Sequence, residues 1–329
     1  MTRSYDVIGI GNAVVDVITH ADDGFLEHMG IEKGIMQLID RERAELLYAA
    51  MGERVQAAGG SVANTVAGAG RMGLSSAFVG KVKDDALGRF YVENMEEFGT
   101  AFPNAPVAEV EAPTTRSMIF VSPDGERSMN TYLGAGADFR AEDVPGDVFS
   151  GAKFLFLEGY LFDKDEGKTA FRQAASLMHA AGGQAGLALS DPFCAERHRA
   201  DFQRLIAEEI DLVIANEAEW TTLYETDLDT ALDRAAAACR IVVCTRSGDP
   251  VIVIGDGNRI EIPVTRVVPV DATGAGDQFA AGFLYGLVNG RDLETCGRMG
   301  VLAAAEVIGH VGPRPEADMV AIFRENGLL

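Results

Sequence analysis

The sequence predicts an α/β fold whose central sheet is mostly parallel and carries helices on both faces. Short, nearly continuous apolar runs alternate with helical patterns along most of the chain, and such runs are typical of strands that are covered on both sides. Two segments, 13–39 and 104–137, break this rhythm with alternating apolar and polar residues. We expect them to form antiparallel strands of one small, β-rich lid.

Six apolar runs are the expected strands of the main sheet: 5–11, 76–80, 153–159, 184–190, 210–216 and 240–245. Helical patterns lie between them, for example at 84–99 and 167–182. In the second lid segment, the PDG of SPDGER separates two alternating runs and predicts a hairpin turn. The expected large domain therefore comprises 1–12, 40–103 and 138–329, and the lid comprises 13–39 and 104–137.

Composition limits the possible partners. The 329 residues are long enough for a large core, and 50 acidic against 28 basic residues give a net charge of −22. Nucleic acids and anionic membranes need basic surfaces, so neither is an expected partner. The N-terminus lacks the pattern of a signal peptide, and the four cysteines have no metal or disulfide spacing. We expect reduced thiols in a cytoplasmic protein.

Two familiar nucleotide motifs are incomplete. In GIGNAVVD (9–16), Val14 replaces the third glycine of a dinucleotide fingerprint, and the alternation continues into a strand instead of a helix. The GKT at 167–169 lacks the preceding glycine of a Walker A loop, because Phe162 stands there. Asn12 and Asp16 are notable in themselves, since they flank apolar residues at a strand end, where open α/β sheets bind ligands.

Three other stretches could carry chemistry, and each has a structural alternative. Gly59 and Gly60 permit close approach of a ligand, or they belong to an ordinary loop before a tightly packed helix. Asn216 and Glu219 in ANEAEW could hold a hydrated magnesium ion, or they form a capping box. In DATGAGDQFAAGF (271–283), Asp277 lies at a helix N-terminus that would attract an anion, and its alternative is an N-cap.

The combination of motifs resembles one family. GGSVANTVAGAGRMG and DATGAGDQFAAGF resemble the two signatures of the ribokinase-like (PfkB) carbohydrate and nucleoside kinases, NEAE resembles the N-x-x-E motif between them, and TRSG resembles the nucleotide-binding T-x-x-G strand end. The four motifs occur in the family's order. This resemblance implies a three-layer α/β/α fold with a lid, and an ATP-dependent kinase acting on a sugar hydroxyl.

The resemblance also implies roles for individual residues. Asp277 would be the general base, kept ionised by the helix N-terminus, and the backbone of Gly274, Ala275 and Gly276 would form the anion hole. ATP would contact Asn216, Thr245 and Gly248, while Asn216 and Glu219 would hold Mg²⁺ through water. Asp271 and Thr273 match part of a monovalent-cation pattern. Ala272 departs from that pattern, which leaves a requirement for K⁺ open.

The expected acceptor is adenosine or a related nucleoside, because the lid resembles the adenosine kinase branch. In that branch the residues matching Asn12 and Asp16 bind the ribose hydroxyls, and Gln37 matches a purine contact. Further ribose and base contacts match Gly59, Gly60, Asn64 and Leu133. A free sugar such as ribose or fructose is the alternative acceptor, and a catalytically silent binding protein is a minor alternative. A monomer and a homodimer are both compatible with the sequence.

Overall fold

The computed structural model describes residues 4–329, and within that range the chain forms two β-sheets. Their strands, in chain order, are β1 (Val7–Ile10), β2 (Val14–His20), β3 (Met36–Leu38), β4 (Val55–Gly59), β5 (Ser76–Val79), β6 (Thr100–Ala101), β7 (Arg116–Val121), β8 (Arg127–Tyr132), β9 (Phe154–Glu158), β10 (Gln184–Ala188), β11 (Leu212–Asn216), β12 (Ile241–Arg246), β13 (Asp249–Gly255) and β14 (Asn258–Ile262).

The same residues contain twelve α-helices and four short 3₁₀ helices. The α-helices are α1 (Asp23–His28), α2 (Arg41–Ala50), α3 (Ser61–Arg71), α4 (Ala86–Glu97), α5 (Asp165–Ala180), α6 (Pro192–Arg197), α7 (Arg199–Glu209), α8 (Glu217–Tyr224), α9 (Leu228–Ala238), α10 (Ala275–Val288), α11 (Leu293–Val307) and α12 (Met319–Glu325). The 3₁₀ helices are Gly134–Asp138, Ala141–Asp143, Gly146–Phe149 and Gly159–Asp163.

The large sheet has the strand order β14-β13-β12-β11-β10-β9-β1-β5-β6. All pairs from β12 to β6 are parallel, and β13 and β14 add antiparallel pairs at one edge. All six predicted strands are present in it, and the mostly parallel α/β fold is confirmed. The strands β13 and β14 were not predicted, because they form a hairpin and do not follow the alternation of strands and helices.

Helices cover both faces of this sheet, which explains why its strands are apolar throughout. Along β9, Leu155 and Leu157 join the core formed with α5, α7, α8 and α9. Phe154 and Phe156 point the other way and join the core formed with α3, α10 and α11. Because successive side chains alternate between faces, a strand buried on both sides needs an apolar residue at every position. The result is the predicted three-layer arrangement.

The small sheet has the order β3-β8-β7-β2-β4. The expected antiparallel pairing is only partly correct, because β2 with β7 and β3 with β8 pair parallel. The hairpin at SPDGER is confirmed: β7 and β8 pair antiparallel, and Gly125 in the turn has a φ of +86°. The sheet also contains β4 (Val55–Gly59), which pairs with β2 although the predicted boundary placed 40–103 in the large domain. The VQAAG of β4 lacks alternation, so only its pairing with β2 identifies it as a strand of this sheet.

Other sequence features have plain structural explanations. β1 is followed by β2 and not by a helix, as the incomplete dinucleotide motif predicted. Lys168 of the GKT lies in the first turn of α5 and pairs with Asp201 at 2.7 Å. The four cysteines are buried and unbridged. Among residues 4–329, no helix is long and apolar enough to cross a bilayer.

Candidate active site

The loop before α10 and the start of α3 meet at the carboxyl ends of the central strands. Gly274 is the N-cap of α10, with a φ of +81°, and a Cβ there would overlap Pro313. Glycine is therefore required by both the backbone conformation and the packing. The N–H groups of Gly274 and Gly276 have no hydrogen-bond acceptor within residues 4–329, while that of Ala275 donates to Ala272 O at 3.3 Å. Such free donors favour an anion.

Asp277 lies in the first turn of α10 but does not cap it. Its carboxylate accepts a hydrogen bond from Ser61 Oγ at 2.7 Å and another from Asn64 Nδ2 at 3.0 Å. Both donors belong to α3, so the two sequence signatures meet at this carboxylate. Because the cap position is held by Gly274, the N-cap alternative for Asp277 is wrong.

The ionisation of Asp277 is governed by burial more than by the helix N-terminus. Burial raises the pKa of Asp277 to about 6, while the hydrogen bonds from Ser61 and Asn64 and the nearby charge of Arg314 lower it. The expectation of an ionised carboxylate at neutral pH agrees with a pKa near 6. The side chain is thus a carboxylate that can accept a proton at little energetic cost.

Asn12, Asp16, Gly59 and Gly60 lie together on the small-sheet side of Asp277. A Cβ on Gly59 would overlap the Asp16 carboxylate, and a Cβ on Gly60, whose φ is +102°, would overlap Asn12 O. The glycine pair is therefore needed for close packing against these two residues. The pKa of Asp16 is raised to about 6, chiefly by burial and also by the charge of Asp277, against the lowering effect of Arg127 and Arg314.

Glu158, at the end of β9, was not identified from the sequence. It is 1% exposed, and its carboxylate accepts hydrogen bonds from the backbone N–H of Asn12 (3.1 Å), from Asn12 Nδ2 (3.0 Å) and from the N–H of Val62 (3.1 Å). Burial raises its pKa to about 7. It joins the loop after β1 to the start of α3. The sequence signal that could have identified Glu158 is a single carboxylate at the end of the apolar run KFLFLEG.

The Asp271 carboxylate is fully occupied by hydrogen-bond donors. Arg127 Nη1, from the small sheet, lies 2.8 Å from Asp271 Oδ2, which also accepts from Gly312 N at 3.1 Å. The other oxygen accepts from the N–H and hydroxyl of Thr273. Burial raises the pKa of Asp271, but these donors outweigh it and leave the pKa below its usual value. In this structure the Arg127 guanidinium neutralises the Asp271 carboxylate, and the cation-binding role of Asp271 and Thr273 stays a prediction.

Asn216 and Glu219 form the capping box that the sequence left as an alternative. Asn216 Oδ1 accepts from the Glu219 N–H at 2.9 Å, and the two Glu219 oxygens accept from the N–H and amide of Asn216 at 2.8 and 2.7 Å. Burial raises the pKa of Glu219 to about 7. Asn216, Glu219 and Thr245 nevertheless line a cavity of about 240 Å³ that reaches Asp277. Gly248 lies in the turn between β12 and β13, outside the cavity lining.

Gln37 does not share the face of the small sheet that carries Asp16. Paired residues point to the same side, and the register Gln37↔Asn130 places Gln37 opposite the row Asp16↔Ser117↔Thr131↔Leu38. Gln37 Nε2 donates instead to the buried Asn130 at 2.7 Å. The purine contact expected at Gln37 stays a prediction, and it would have to be made from the face opposite to Asp16, because adjacent residues of a strand point to opposite faces.

The face of the small sheet that carries Asp16 and Arg127 is otherwise mainly apolar. Its register brings together an apolar strip whose members are Ile18, Met36, Leu38, Ile119 and Met129. Met36 and Leu38 are 41% and 53% exposed. Leu133 follows directly after β8, and its carbonyl accepts a hydrogen bond from Thr115. The opposite face is covered by α1 and α2, for example through the contact of Phe25 with Phe120 at 5.5 Å.

A carboxylate lies beside free helix-terminal N–H groups at the end of a cavity, and such an arrangement is suited to phosphoryl transfer. The profile of the pfkB family of carbohydrate kinases matches residues 34–318, and the chain belongs to this family. It is an ATP-dependent phosphotransferase that acts on a hydroxyl group of a small nucleoside or sugar. Members of the family typically use Mg²⁺.

Two solved structures and one curated relative illustrate the resemblance, and each covers more than nine tenths of this chain. The adenosine kinase from Sinorhizobium meliloti is 45% identical, with a TM-score of 0.90 over 98% of this chain and 100% of that one. A probable sugar kinase from Rhizobium etli is 43% identical, with a TM-score of 0.91 over 100% of both chains. Adenosine kinase 1 of Arabidopsis thaliana is 28% identical over 93% of this chain and 94% of its own length. These similarities support the ribokinase-like fold.

Proposed function

We propose that the chain transfers the γ-phosphoryl group of ATP to the 5′-hydroxyl of a nucleoside, with adenosine as the first candidate. The observation that carries this choice is the apolar strip on the same face as Asp16. A nucleobase has flat, largely apolar faces that need such a surface, whereas a free sugar presents hydroxyls around its whole ring. The adenosine kinase names of two similar proteins support the same acceptor.

The ribose would lie between the small sheet and α3. Asp16 is half-buried and carries a carboxylate that can accept from two neighbouring hydroxyls, and Asn12 lies nearby with Gly59 and Gly60. Asn64 contacts Asp277 on the α3 side. An acceptor whose secondary hydroxyls bind Asp16 would direct its primary hydroxyl away from the small sheet, toward Asp277. The base would then contact the apolar strip and Leu133. This orientation places the reacting oxygen beside the proton acceptor.

In the proposed reaction, the hydroxyl oxygen forms a bond to the γ-phosphorus while the bond from that phosphorus to the β,γ-bridging oxygen breaks. ADP leaves with the bonding electron pair, and the hydroxyl proton passes to Asp277. Ser61 and Asn64 hold the Asp277 carboxylate from the side. The free N–H groups of Gly274 and Gly276 would stabilise charge on the phosphoryl group as it moves. The base and the anion site thus act on opposite ends of one displacement.

Magnesium would be held at the other end of the cavity, next to Asn216 and Glu219. Both oxygens of Glu219 already accept hydrogen bonds from Asn216, so the donor set fits contact through water better than direct ligation. Each carboxylate oxygen retains a lone pair for such a water. When bound, the ion neutralises the nucleotide phosphates, which matters in a chain with a net charge of −22. Thr245, paired with Asn216 in the sheet, would contact the nucleotide.

The experiment that tests this function is an ADP-release assay with Mg²⁺ and ATP over a panel of adenosine, guanosine, inosine, ribose and fructose. We expect kcat/KM for adenosine to exceed that for either free sugar by at least about tenfold, because the apolar strip adds binding energy that only a base can use. A free sugar that reacts faster than every nucleoside would overturn the acceptor and leave the kinase activity intact. Wild-type protein without acceptor serves as the control for ATP hydrolysis.

A further inference from the structure

A short C-terminal segment, Gly312–Arg314, packs against the loop that begins α10. Gly312 N donates to Asp271 at 3.1 Å, and Pro313 O accepts from Gln278 Nε2 at 2.9 Å. Gln278 also donates to Asn64 O at 3.0 Å. The segment therefore touches both the anion loop and α3, although more than thirty residues separate it from Asp277 in sequence. It ends on an arginine that points inward.

Arg314 is a buried cation without a direct ion pair among the described residues. It is 9% exposed, and its guanidinium donates to Ala58 O at 2.7 Å, to Asn94 Oδ1 at 3.2 Å and to Asn64 Oδ1 at 3.3 Å. It also lies over the Phe98 ring, 4.5 Å from the centroid. Burying a charge without a carboxylate in contact is costly, so the position of this residue needs a reason.

The contact with Asn64 supplies a reason for burying Arg314 at this position. A guanidinium has only donors, so the Asn64 side-chain atom that faces Arg314 must be the amide oxygen. The amide nitrogen then faces the other way, where it donates to Asp277 Oδ2 at 3.0 Å. Without Arg314, the orientation of the amide would depend on Asp277 alone. An ionised carboxylate accepts from Nδ2, but a protonated carboxyl group can also donate to the amide oxygen, so the amide could then turn over.

We propose that Arg314 is a positioning residue for the general base, acting through Asn64, whose amide it orients so that a donor always faces Asp277. The inference rests on the proposed role of Asp277 as the base. The described contacts of Arg314 are with protein groups, and through Asn64 it helps to hold Asp277 on one side. Its charge also lowers the pKa of the base.

Several charged groups surround Asp277, and their signs determine the expected pH effect. Asp16 from the small sheet, Glu158 from β9 and Glu219 across the cavity are acidic, and each disfavours a second negative charge nearby. Arg314 is the cation that favours the Asp277 carboxylate, and it also lowers the pKa of Asp16, as Arg127 does. Removal of Arg314 therefore raises the pKa of Asp277. Since the base acts when ionised, the acid limb of activity moves to higher pH.

The test measures kcat and kcat/KM from pH 5 to 9 for the wild type, Arg314→Met, Arg314→Lys and Asn94→Ala. Arg314→Met should lower kcat at pH 7 by about tenfold or more and move the acid limb upward by about one pH unit, with little change in KM for ATP. Arg314→Lys keeps the positive charge but loses the planar guanidinium with its several donors, so the acid limb should move by less. Asn94→Ala removes an outer contact of the same guanidinium and should leave the acid limb in place.

A double-mutant cycle separates positioning from a purely structural role. Once Asn64→Ala has removed the amide, Arg314→Lys should lower kcat by less than it does in the wild type. If Arg314→Met fails to fold, this cycle still gives the answer. An unmoved acid limb in Arg314→Met would overturn the inference, and, where that variant does not fold, so would additive effects of Arg314→Lys and Asn64→Ala on kcat. Asp277→Asn distinguishes the two proposals. Normal turnover in that variant rejects Asp277 as the base. An inactive Asp277→Asn, together with an acid limb that does not move in the Arg314 variants, rejects only the positioning role of Arg314.

Discussion

At the scale of single residues, the site depends on how one carboxylate is held. Asp277 accepts from Ser61 and Asn64, and neither bond caps its own helix. Burial raises its pKa to about 6, close enough to neutrality for proton transfer in both directions. A residue whose role was only to cap α10 would bond to the N–H groups of its own first turn. The geometry therefore favours a chemical role over a capping one.

The first prediction concerns this carboxylate. Asp277→Asn keeps the size of the side chain and removes its ability to accept a proton, so kcat should fall by about 10²–10⁴-fold. The KM for ATP should stay within several-fold of the wild type, because the N–H groups of the anion loop remain. Steady-state kinetics with adenosine and ATP measures both quantities. Near-normal turnover would remove Asp277 from the mechanism.

At the scale of elements, the small sheet presents two chemically different faces. One face packs under α1 and α2, and the other carries Asp16, Arg127 and the apolar strip. β3 lies at the edge and contributes Met36 and Leu38 to the second face, with Gln37 between them on the first. Since the strand period is two, neighbouring residues of β3 offer a direct comparison of the two faces.

The second prediction uses that comparison. Leu38→Ser should raise KM for adenosine by about three- to tenfold, because roughly 1 kcal/mol of apolar contact with the base is lost. Activity with ribose should change little. Gln37→Ala is the matched control on the adjacent, opposite-facing position, and it should leave both KM values near those of the wild type. A selective loss of nucleoside activity in Gln37→Ala, with Leu38→Ser unaffected, would contradict the register.

The third prediction concerns the start of α8. Glu219→Gln keeps a side chain that can serve in a capping box but removes the negative charge facing the cavity. The Mg²⁺ concentration for half-maximal rate should rise by about three- to tenfold, since the water-mediated attraction weakens. Glu217→Gln, an exposed acid in the same helical turn, is the control for a general charge effect. If Glu219→Gln changes only the unfolding free energy, by about 1 kcal/mol, the residue is a cap and no more.

At the scale of the whole molecule, four acidic groups lie together at the site, where burial disfavours their charged forms. Burial raises the pKa of four carboxyl groups at the site to about 6 or 7: Asp16, Glu158, Glu219 and Asp277. In an unfolded chain the same groups titrate near pH 4. Between pH 4 and 7, the native state therefore binds more protons than the unfolded state does.

The fourth prediction follows from this difference. The contribution of these groups to stability is fully present below about pH 4 and is lost as the pH rises through 6 and 7, so the free energy of unfolding should increase from pH 8 down to pH 5. Activity should decrease over the same range, because the base becomes protonated. Below pH 4, groups with lowered pKa values, such as Asp85 and Asp271, become protonated and lose their contribution to the free energy of unfolding. Stability should thus be greatest near pH 5.

Urea unfolding at several pH values measures this effect, and 0.5 M salt screens the repulsion among surface charges without removing the penalty of burial. Asp16→Asn eliminates one of the four titrating groups and should flatten the dependence. An unfolding free energy that rises from pH 5 to pH 8 in high salt would contradict the prediction. The kinase assay on the same samples shows whether activity and stability change in opposite directions.

The sequence by itself determined the class of fold and the family resemblance, and it indicated Asp277 as the candidate base. Strand–helix alternation is a local pattern, and the glycine-rich signatures are contiguous, so both can be read along the chain. Tertiary structure alone decided which face of β3 looks onto the site, that β4 joins the small sheet, and that Arg127 neutralises Asp271. It also brought Glu158 and Arg314 to Asn12 and Asn64. These features depend on strand register and on contacts between residues more than a hundred positions apart, and no local pattern encodes which distant side chain will lie opposite.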